Sequence, residues 1–213
     1  MKFPEGIIAV NKPKGMTSHD VVSYVKRSLN AKKVGHAGTL DPQAEGVLVI
    51  LVGDATKRQK EFMSQEKEYV AEIKLGAEST TDDIEGEIKT HSVKKQPTSD
   101  DVGDVINQFI GEIEQIPPLY SAVKVGGRAA YNRARRGEKF ELKPKKVMIK
   151  EIKIISYKWP KLKIKVVCSS GTYIRSLARD IGKKLLVEGY LAGLVRTRSG
   201  RFTITQAQNL KEV

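Results

Sequence analysis

Apolar and polar positions along the chain change their spacing several times, and each change marks an element. Gly6-Ile7-Ile8-Ala9-Val10 is a short apolar run that meets the turn-forming Asn11-Lys12-Pro13-Lys14-Gly15, which predicts a buried strand. Val21, Val22, Val25 and Leu29 then recur at helical spacing, with Thr17 or Ser18 ahead of them as a cap. The continuous run from Gly46 to Gly53 has strand length and no polar face, so it predicts a strand buried on both sides. Asp54 stands where it would cap a short helix to Phe62. From Glu68 to Leu75 the period falls to two: Tyr69, Ala71, Ile73 and Leu75 alternate largely with charged residues, as in a strand with one wet face.

The second half is read in the same way. Residues 80–96 are polar and predict a surface loop with a turn at Glu85-Gly86, and Thr98 or Ser99 caps a helix through Val102, Val105, Ile106, Phe109 and Ile110. Two β segments, Ile113 to Ile116 and Ser121 to Val125, flank Pro117-Pro118. Gly126-Gly127 opens a basic helical stretch, 128–136, that ends at Gly137. A β pair follows, 146–159 and 161–168, turning at Pro160, and then a helix from Gly171-Thr172 to about Val187 with Ile174, Leu177, Ile181 and Leu185 on one side. Strand-like 191–197 and 202–205 precede a short final helix. Strands and helices are interspersed without regular βαβ alternation and without repeats or heptads. The fold class expected is α+β, with a mixed, largely antiparallel sheet flanked by helices.

Composition changes this picture in one respect, the charge. Lys and Arg total 38 against 25 Asp and Glu, a formal net charge of +13, and the excess is unevenly placed. Residues 124–153 hold 11 basic and 3 acidic side chains and residues 158–201 hold 11 and 2, whereas residues 61–117 hold 5 and 14. Such asymmetry points one face at a polyanion, with an inert solubilising surface as the plainer alternative. No basic amphipathic segment carries a large apolar face, and no apolar run nears the roughly 20 residues a membrane helix needs, so no membrane partner is expected. The single cysteine, Cys168, and a start without a secretory signal favour a reducing, cytoplasmic setting.

Candidate chemistry narrows by spacing. The 3 histidines (His19, His36, His91) and 1 cysteine show no metal-ligand spacing, and no glycine-rich phosphate loop or nucleophile elbow is present. Neither a metal nor another cofactor is therefore expected. Gly35-His36-Ala37-Gly38-Thr39-Leu40-Asp41-Pro42 is different. Taken alone, Asp41-Pro42 is a turn, the aspartate bonding nearby backbone N–H groups. Yet the loop carries His36 and Thr39, has glycines at 35, 38 and 46, and leads straight into the buried strand, the kind of scaffolded loop that carries chemistry. Arg175, in the first turn of its helix, is poorly placed against the helix dipole unless a buried carboxylate pairs with it; Asp41 is a candidate, and a solvated surface arginine is the plain alternative. Tyr69 can be core or can stack on a base.

Together, these segments resemble the TruB family of pseudouridine synthases, the bacterial tRNA pseudouridine-55 type. The resemblance rests on Asn11-Lys12-Pro13-x-Gly15-x-Thr17-Ser18, on the loop from Gly35 through Ala44, Gly46, Val47 and Leu48, and on Tyr69 ahead of Leu75-Gly76. It continues in Gln115-Ile116-Pro117-Pro118-x-Tyr120-Ser121-Ala122-Val123-Lys124, Gly171-Thr172-Tyr173-Ile174-Arg175-Ser176-Leu177 and Leu194-x-Arg196-Thr197, in the family's order across almost the whole chain.

The resemblance implies that Asp41 is the catalytic aspartate, Tyr69 the active-site tyrosine and Arg175 the arginine that pairs with the aspartate. On the substrate side it implies His36, which helps hold a flipped-out nucleotide, then Leu194 and Tyr173 at the pocket, and Lys12 in a motif that buttresses the catalytic loop. It also implies the pseudouridine synthase fold as one catalytic domain over 1–213, with a basic RNA-gripping insertion at about 124–153 and no C-terminal PUA-like domain. The expected substrate is the T-stem-loop of tRNA and the expected state a monomer. Isomerising uridine breaks and remakes a glycosidic bond without net redox change, so no cofactor is called for, and a carboxylate nucleophile divides one hard step into two. The target base must leave its stack to be reached. Three positions depart from the family's usual residues: Glu45 for Thr, Ser170 for Lys and Tyr190 for His. Two other readings stay open: an RNA-binding or RNA-folding protein without catalysis, and a synthase acting on another RNA.

Overall fold

A computed structural model of the protein describes residues 6–213. In chain order the strands are β1 (Ile7–Lys12), β2 (Val34–His36), β3 (Glu45–Val52), β4 (Lys67–Leu75), β5 (Ala77–Ser79), β6 (Ile88–Thr90) and β7 (Gly111–Gln115). They continue as β8 (Lys124–Val125), β9 (Arg128–Ala129), β10 (Lys145–Lys158), β11 (Lys161–Cys168), β12 (Gly189–Ser199), β13 (Phe202–Thr203) and β14 (Gln208–Asn209). The α-helices are α1 (Ser18–Ser28), α2 (Gln59–Met63), α3 (Ser99–Asn107), α4 (Ala130–Arg135) and α5 (Ile174–Lys184). The mixture is the α+β class expected from the sequence. None of the helices among the described residues is long and apolar enough to cross a membrane.

The chain forms two compact units. One holds the residues up to Val70 with 167–170 and 194–213; the other holds 71–166 and 171–193. Strands β4, β11 and β12 each give residues to both.

In the first unit the strands run in the order β14, β1, β3 and the C-terminal half of β12. β1 is antiparallel to β3, from Ile7 opposite Leu51 to Lys12 opposite Gly46, and β12 joins β3 in parallel at Val195–Glu45 and Arg196–Gly46. β3 is buried from Gly46 to Leu51, as its unbroken apolar run predicts. Ala9, Val47, Val49 and Leu51 cluster with Ala37, Ala55 and Phe62 on one side of these strands. Ile8, Val10, Leu48 and Ile50 are buried as well. α1 starts where expected: Thr17 accepts from the Asp20 amide while the Asp20 carboxylate accepts from the Thr17 amide, a reciprocal cap that stabilises a helix by about 1 kcal/mol. Two sequence readings need correction in this unit. Asp54 does not cap the next helix: a 3₁₀ turn begins at Gly53 with no side-chain cap, and Asp54 pairs instead with Lys57 at 2.6 Å. Residues 34–36 are strand β2, antiparallel to β3; three residues are too few to show a period.

In the second unit β4, β11, β10 and β7 are neighbours in that order. β7 pairs antiparallel with β10 from Gln115–Lys145 to Gly111–Ile149. α5 buries Ile174, Leu177, Ala178 and Ile181, and α3 has the same reciprocal cap through Thr98 and Asp101. The polar stretch read as a loop contains strand β6, which pairs antiparallel with β5 just before it and whose three exposed residues carry no apolar alternation. Ser121 to Val125 is strand only at Lys124–Val125, and the helix expected from Arg128 starts at Ala130. Gly126 and Gly127, with φ of 58° and 81°, turn β8 back onto β9. Two successive positive φ values suit a two-residue hairpin turn, a better use of a Gly-Gly pair than opening a helix.

Candidate active site

The loop bearing Asp41 joins β2 to β3 in the first unit, and its own side chain is half-buried. Backbone amides and buried polar side chains hold it from four directions. The Ala37 amide donates to Val49 at 2.9 Å, and the Gly15 amide donates to the Pro42 carbonyl at 2.8 Å. Lys12, 0% exposed, donates to the Pro42 carbonyl at 3.2 Å as well as to Pro13 and Met16. Ser18, 3% exposed, donates its hydroxyl to the Leu40 carbonyl at 3.0 Å and accepts from the Leu40 amide at 2.8 Å. Arg196, 1% exposed, spans the loop's flanks, donating to the carbonyls of Val47 (2.6 Å), Gly38 (3.1 Å) and Thr39 (3.4 Å). Buried carbonyls and amides need such partners, so each bond also removes a desolvation cost of about 1–3 kcal/mol.

Electrostatics tie further groups to this loop. Tyr69 on β4 is buried; burial pushes its phenol up, while Arg196, which hydrogen-bonds it, pulls the other way and the Asp41 charge pushes up. Burial and the Arg196 charge lower His36, against an opposing pull from the Gly38 backbone. Burial lowers the Lys12 ammonium to about 8, against opposing pulls from Glu45 and Asp41. Lys67, on β4, is lowered to about 8 by burial and by Arg196; its ammonium donates to the carbonyls of Phe62, Met63 and Gln65.

Two lysines titrating near 8 in the folded chain and near 10.5 when free give a sign to the pH dependence. Between those values the unfolded chain binds more protons, so stability contributed by these sites rises with pH from about 8 to about 10.5. The burial cost is fully present below that window. Denaturant melts are expected to show a more positive slope for the wild type than for Lys67→Met, by at most about 1.4 kcal/mol per pH unit. A steeper rise in the variant would contradict the assignment.

The second unit holds Tyr173 and Arg175. Tyr173 caps α5, its amide donating to the Gln115 side chain at 3.0 Å while Gln115 donates back to the Tyr173 carbonyl at 3.3 Å. Arg175, 7% exposed, is not a solvated surface residue: it meets Asp83 at 3.3 Å and donates to the carbonyls of Tyr120 (2.9 Å) and Thr81 (3.4 Å). Asp83 is thus a buried carboxylate partner of the kind its place in the helix required. Ser176 and Arg179 both donate to the Ile116 carbonyl, at 2.8 and 3.0 Å, and Arg179 also pairs with Asp82 at 2.8 Å. The segment after β7 and the acidic turn at 82–83 are therefore both strapped to α5.

Of the residues singled out from the sequence, Asp41, Tyr69, His36, Lys12 and Leu194 fall in the first unit and Tyr173 and Arg175 in the second. Within the first, Asp41, Tyr69, Lys12 and His36 share Arg196 or one another as electrostatic neighbours, and Leu194 lies half-buried on β12 two residues before Arg196. Sequence reasoning gave Arg196, Ser18, Lys67 and Gln115 no role in the site. No local pattern marks Arg196 or Lys67 as buried, and only the fold shows that they are. No three His, Cys, Asp or Glu side chains among the described residues converge as metal ligands.

Comparison with known proteins places this arrangement. In overall fold the chain is similar to a crystal structure described as a pseudouridylate synthase (TM-score 0.50, 16% identity, covering 96% of this chain and 67% of that one). It is also similar to a chain of the Cbf5-Nop10-Gar1 complex (TM-score 0.77, 32% identity), covering 97% of this chain and 53% of that one, so it spans about half the length of that solved relative. The fold is that of the pseudouridine synthases. Residues 26–174 match the profile of the TruB family pseudouridylate synthases, N-terminal domain. The tRNA pseudouridine synthase B of Bacteroides fragilis is 48% identical over 213 residues, covering 97% of this chain and 91% of that protein. That of Symbiobacterium thermophilum is 44% identical over 212 residues, covering 98% and 71%. The chain belongs to the TruB family of pseudouridylate synthases, which are isomerases.

Proposed function

We propose that the protein converts the T-loop uridine at position 55 of tRNA to pseudouridine, with Asp41 as the nucleophile. The observation that carries this reading is the anchoring of the Asp41 loop: a half-buried carboxylate on a backbone held by Ser18, Lys12 and Arg196. A nucleophile gains most from such fixing, because attack requires one geometry and solvent reorganisation is avoided. Asp41 bonds covalently to the substrate and the N1–C1′ glycosidic bond breaks; the uracil turns and C5 bonds to C1′, the bond to Asp41 breaks, and C5 loses its proton while N1 gains one.

The remaining residues divide this work. Tyr69, its phenol kept neutral by burial, offers an aromatic face and a hydroxyl to the flipped base. His36, held neutral by burial and Arg196, presents hydrogen bonds without adding charge. Arg175, Leu194 and Tyr173 take the roles that the family motifs assign them, Arg175 as the catalytic arginine and Leu194 and Tyr173 as substrate-binding residues. The basic segment 124–153 holds phosphates and 2′-hydroxyls. Its arginines stack on neighbouring rings, Arg133 on Phe140 at 5.2 Å and Arg135 on Tyr131 at 5.9 Å. The enzyme works as a monomer in the cytoplasm, where its RNA is.

Incubation with an unmodified tRNA transcript, followed by chemical mapping of pseudouridine, tests the reading. Modification at position 55 supports it; tight RNA binding without product would replace it with an RNA-folding role. The grip has its own test. RNA affinity is expected to fall at least about 100-fold between roughly 50 and 200 mM salt, the loss that about five phosphate contacts give by counterion release. An affinity insensitive to salt would remove 124–153 from the interface.

A further inference from the structure

We infer that Ser18 is a positioning residue for the reaction, setting the direction of the Asp41 side chain through the peptide that precedes it. The inference rests on the reading of Asp41 as nucleophile. Ser18 opens α1, directly after the Thr17 cap, and is 3% exposed. Helix starts usually use such a hydroxyl on their own free amides. Here Thr17 and Asp20 already perform that capping, and the Ser18 hydroxyl is turned away to residue 40. It accepts from the Leu40 amide at 2.8 Å and donates to the Leu40 carbonyl at 3.0 Å, so one oxygen serves both polar groups of a single residue.

The consequence for Asp41 is geometric. The Leu40 carbonyl belongs to the planar peptide whose nitrogen is that of Asp41. With the Leu40 amide and carbonyl both fixed, the backbone on each side of the Leu40 α-carbon is held and the Leu40–Asp41 peptide plane has little freedom to rock. Of the Asp41 backbone only φ and ψ remain, and the Ala44 amide bond to the Asp41 carbonyl at 3.0 Å constrains ψ from the far side. Leu40 itself is 3% exposed, so water cannot take over the lost bonds if the hydroxyl is removed. α1 is a regular capped helix and a firm base for this clamp. The bond spans 22 residues of sequence, which makes it a tertiary tie rather than a local turn.

Ser18→Ala, Ser18→Cys and Thr17→Ala test this in the full chain, with Asp41→Asn as the reference. A misplacement of the order of 1 Å can cost about 100-fold in rate. Ser18→Ala is expected to lower the single-turnover rate at saturating tRNA at least about 10-fold, with the tRNA Kd unchanged within about 2-fold. Ser18→Cys, which keeps a weak donor and acceptor of similar size, is expected to fall between Ala and the wild type. Thr17→Ala weakens the same helix without touching Leu40, and its rate is expected to stay within about 2-fold of the wild type when measured well below its Tm. An unchanged rate in Ser18→Ala would overturn the inference, as would an equal loss in Thr17→Ala, which would mean that helix stability alone matters. If Ser18→Ala does not fold, a Ser18→Cys rate equal to that of the wild type would overturn it. Full activity in Asp41→Asn would instead remove the nucleophile reading beneath it.

Discussion

Replacing Asp41 with asparagine is expected to reduce pseudouridine formation by at least about 10⁴-fold while leaving the protein folded and able to bind RNA. Asparagine has nearly the same shape, and the bonds that hold the loop come from Ser18, Lys12, Arg196 and the Gly15 amide to backbone atoms. None of those requires the Asp41 charge. What disappears is the anionic oxygen that the proposed mechanism bonds to the substrate. The charge also acts on Lys12 and Tyr69, raising both. The variant is therefore expected to show a somewhat lower Lys12 pKa, which adds to the burial effect. Single-turnover assays with excess enzyme, paired with an RNA-binding titration, separate lost chemistry from lost affinity. A variant that binds tRNA normally yet turns it over at a tenth of the wild-type rate would be incompatible with a nucleophilic Asp41.

The second large effect concerns stability. Gly46→Ala is expected to destabilise the protein by more than about 3 kcal/mol, because the site cannot collapse around an added methyl. Gly46 has a φ of 100°, a region that L side chains rarely enter. A Cβ there would lie 2.3 Å from the Arg196 carbonyl oxygen and 2.9 Å from its nitrogen, so the obstacle is backbone, not a side chain that can swing aside. This is where β3 pairs with β12, Gly46 opposite Arg196. Pushing the strands apart would also pull the Arg196 guanidinium from the carbonyls of Val47, Gly38 and Thr39. For a chain of 213 residues, 3 kcal/mol corresponds to a fall in Tm of roughly 6–12 °C. Melts by circular dichroism measure it, and a fall below about 2 °C would show that the strand pair is softer than its spacing implies.

The sequence revealed the strands and helices whose pattern is long and one-sided, and it missed those held by a few polar atoms. β3 and β4 were legible because one is apolar from Val47 to Val52 and the other alternates over most of its length. α1 and α3 were legible because apolar residues recur at helical spacing behind a threonine that can cap them, Thr17 and Thr98. β2, β5 and β6 are three residues each, and β8 and β9 are two, too short for any period. In the site, Asp41 stood out through its glycine-bearing loop and the family motif. The side chains that hold that loop did not. Ser18 reads as a helix cap, which Thr17 turns out to be, and no local pattern marks Arg196 or Lys67 as buried. Their burial follows from strand pairings between segments as much as 150 residues apart, which no local pattern encodes. Arg175 lay between these cases: its awkward place in the first turn of α5 signalled a buried acid, and the fold supplies Asp83.

The proposed reaction, isomerisation of one T-loop uridine through Asp41, is open to a direct test. Mapping every pseudouridine in an unmodified tRNA transcript after treatment with wild-type protein, and in parallel with Asp41→Asn, tests it most directly. The expected result is one new pseudouridine, at position 55, present with the wild type and absent with Asp41→Asn. Modification at other uridines, or at position 55 by both proteins alike, would contradict the claim.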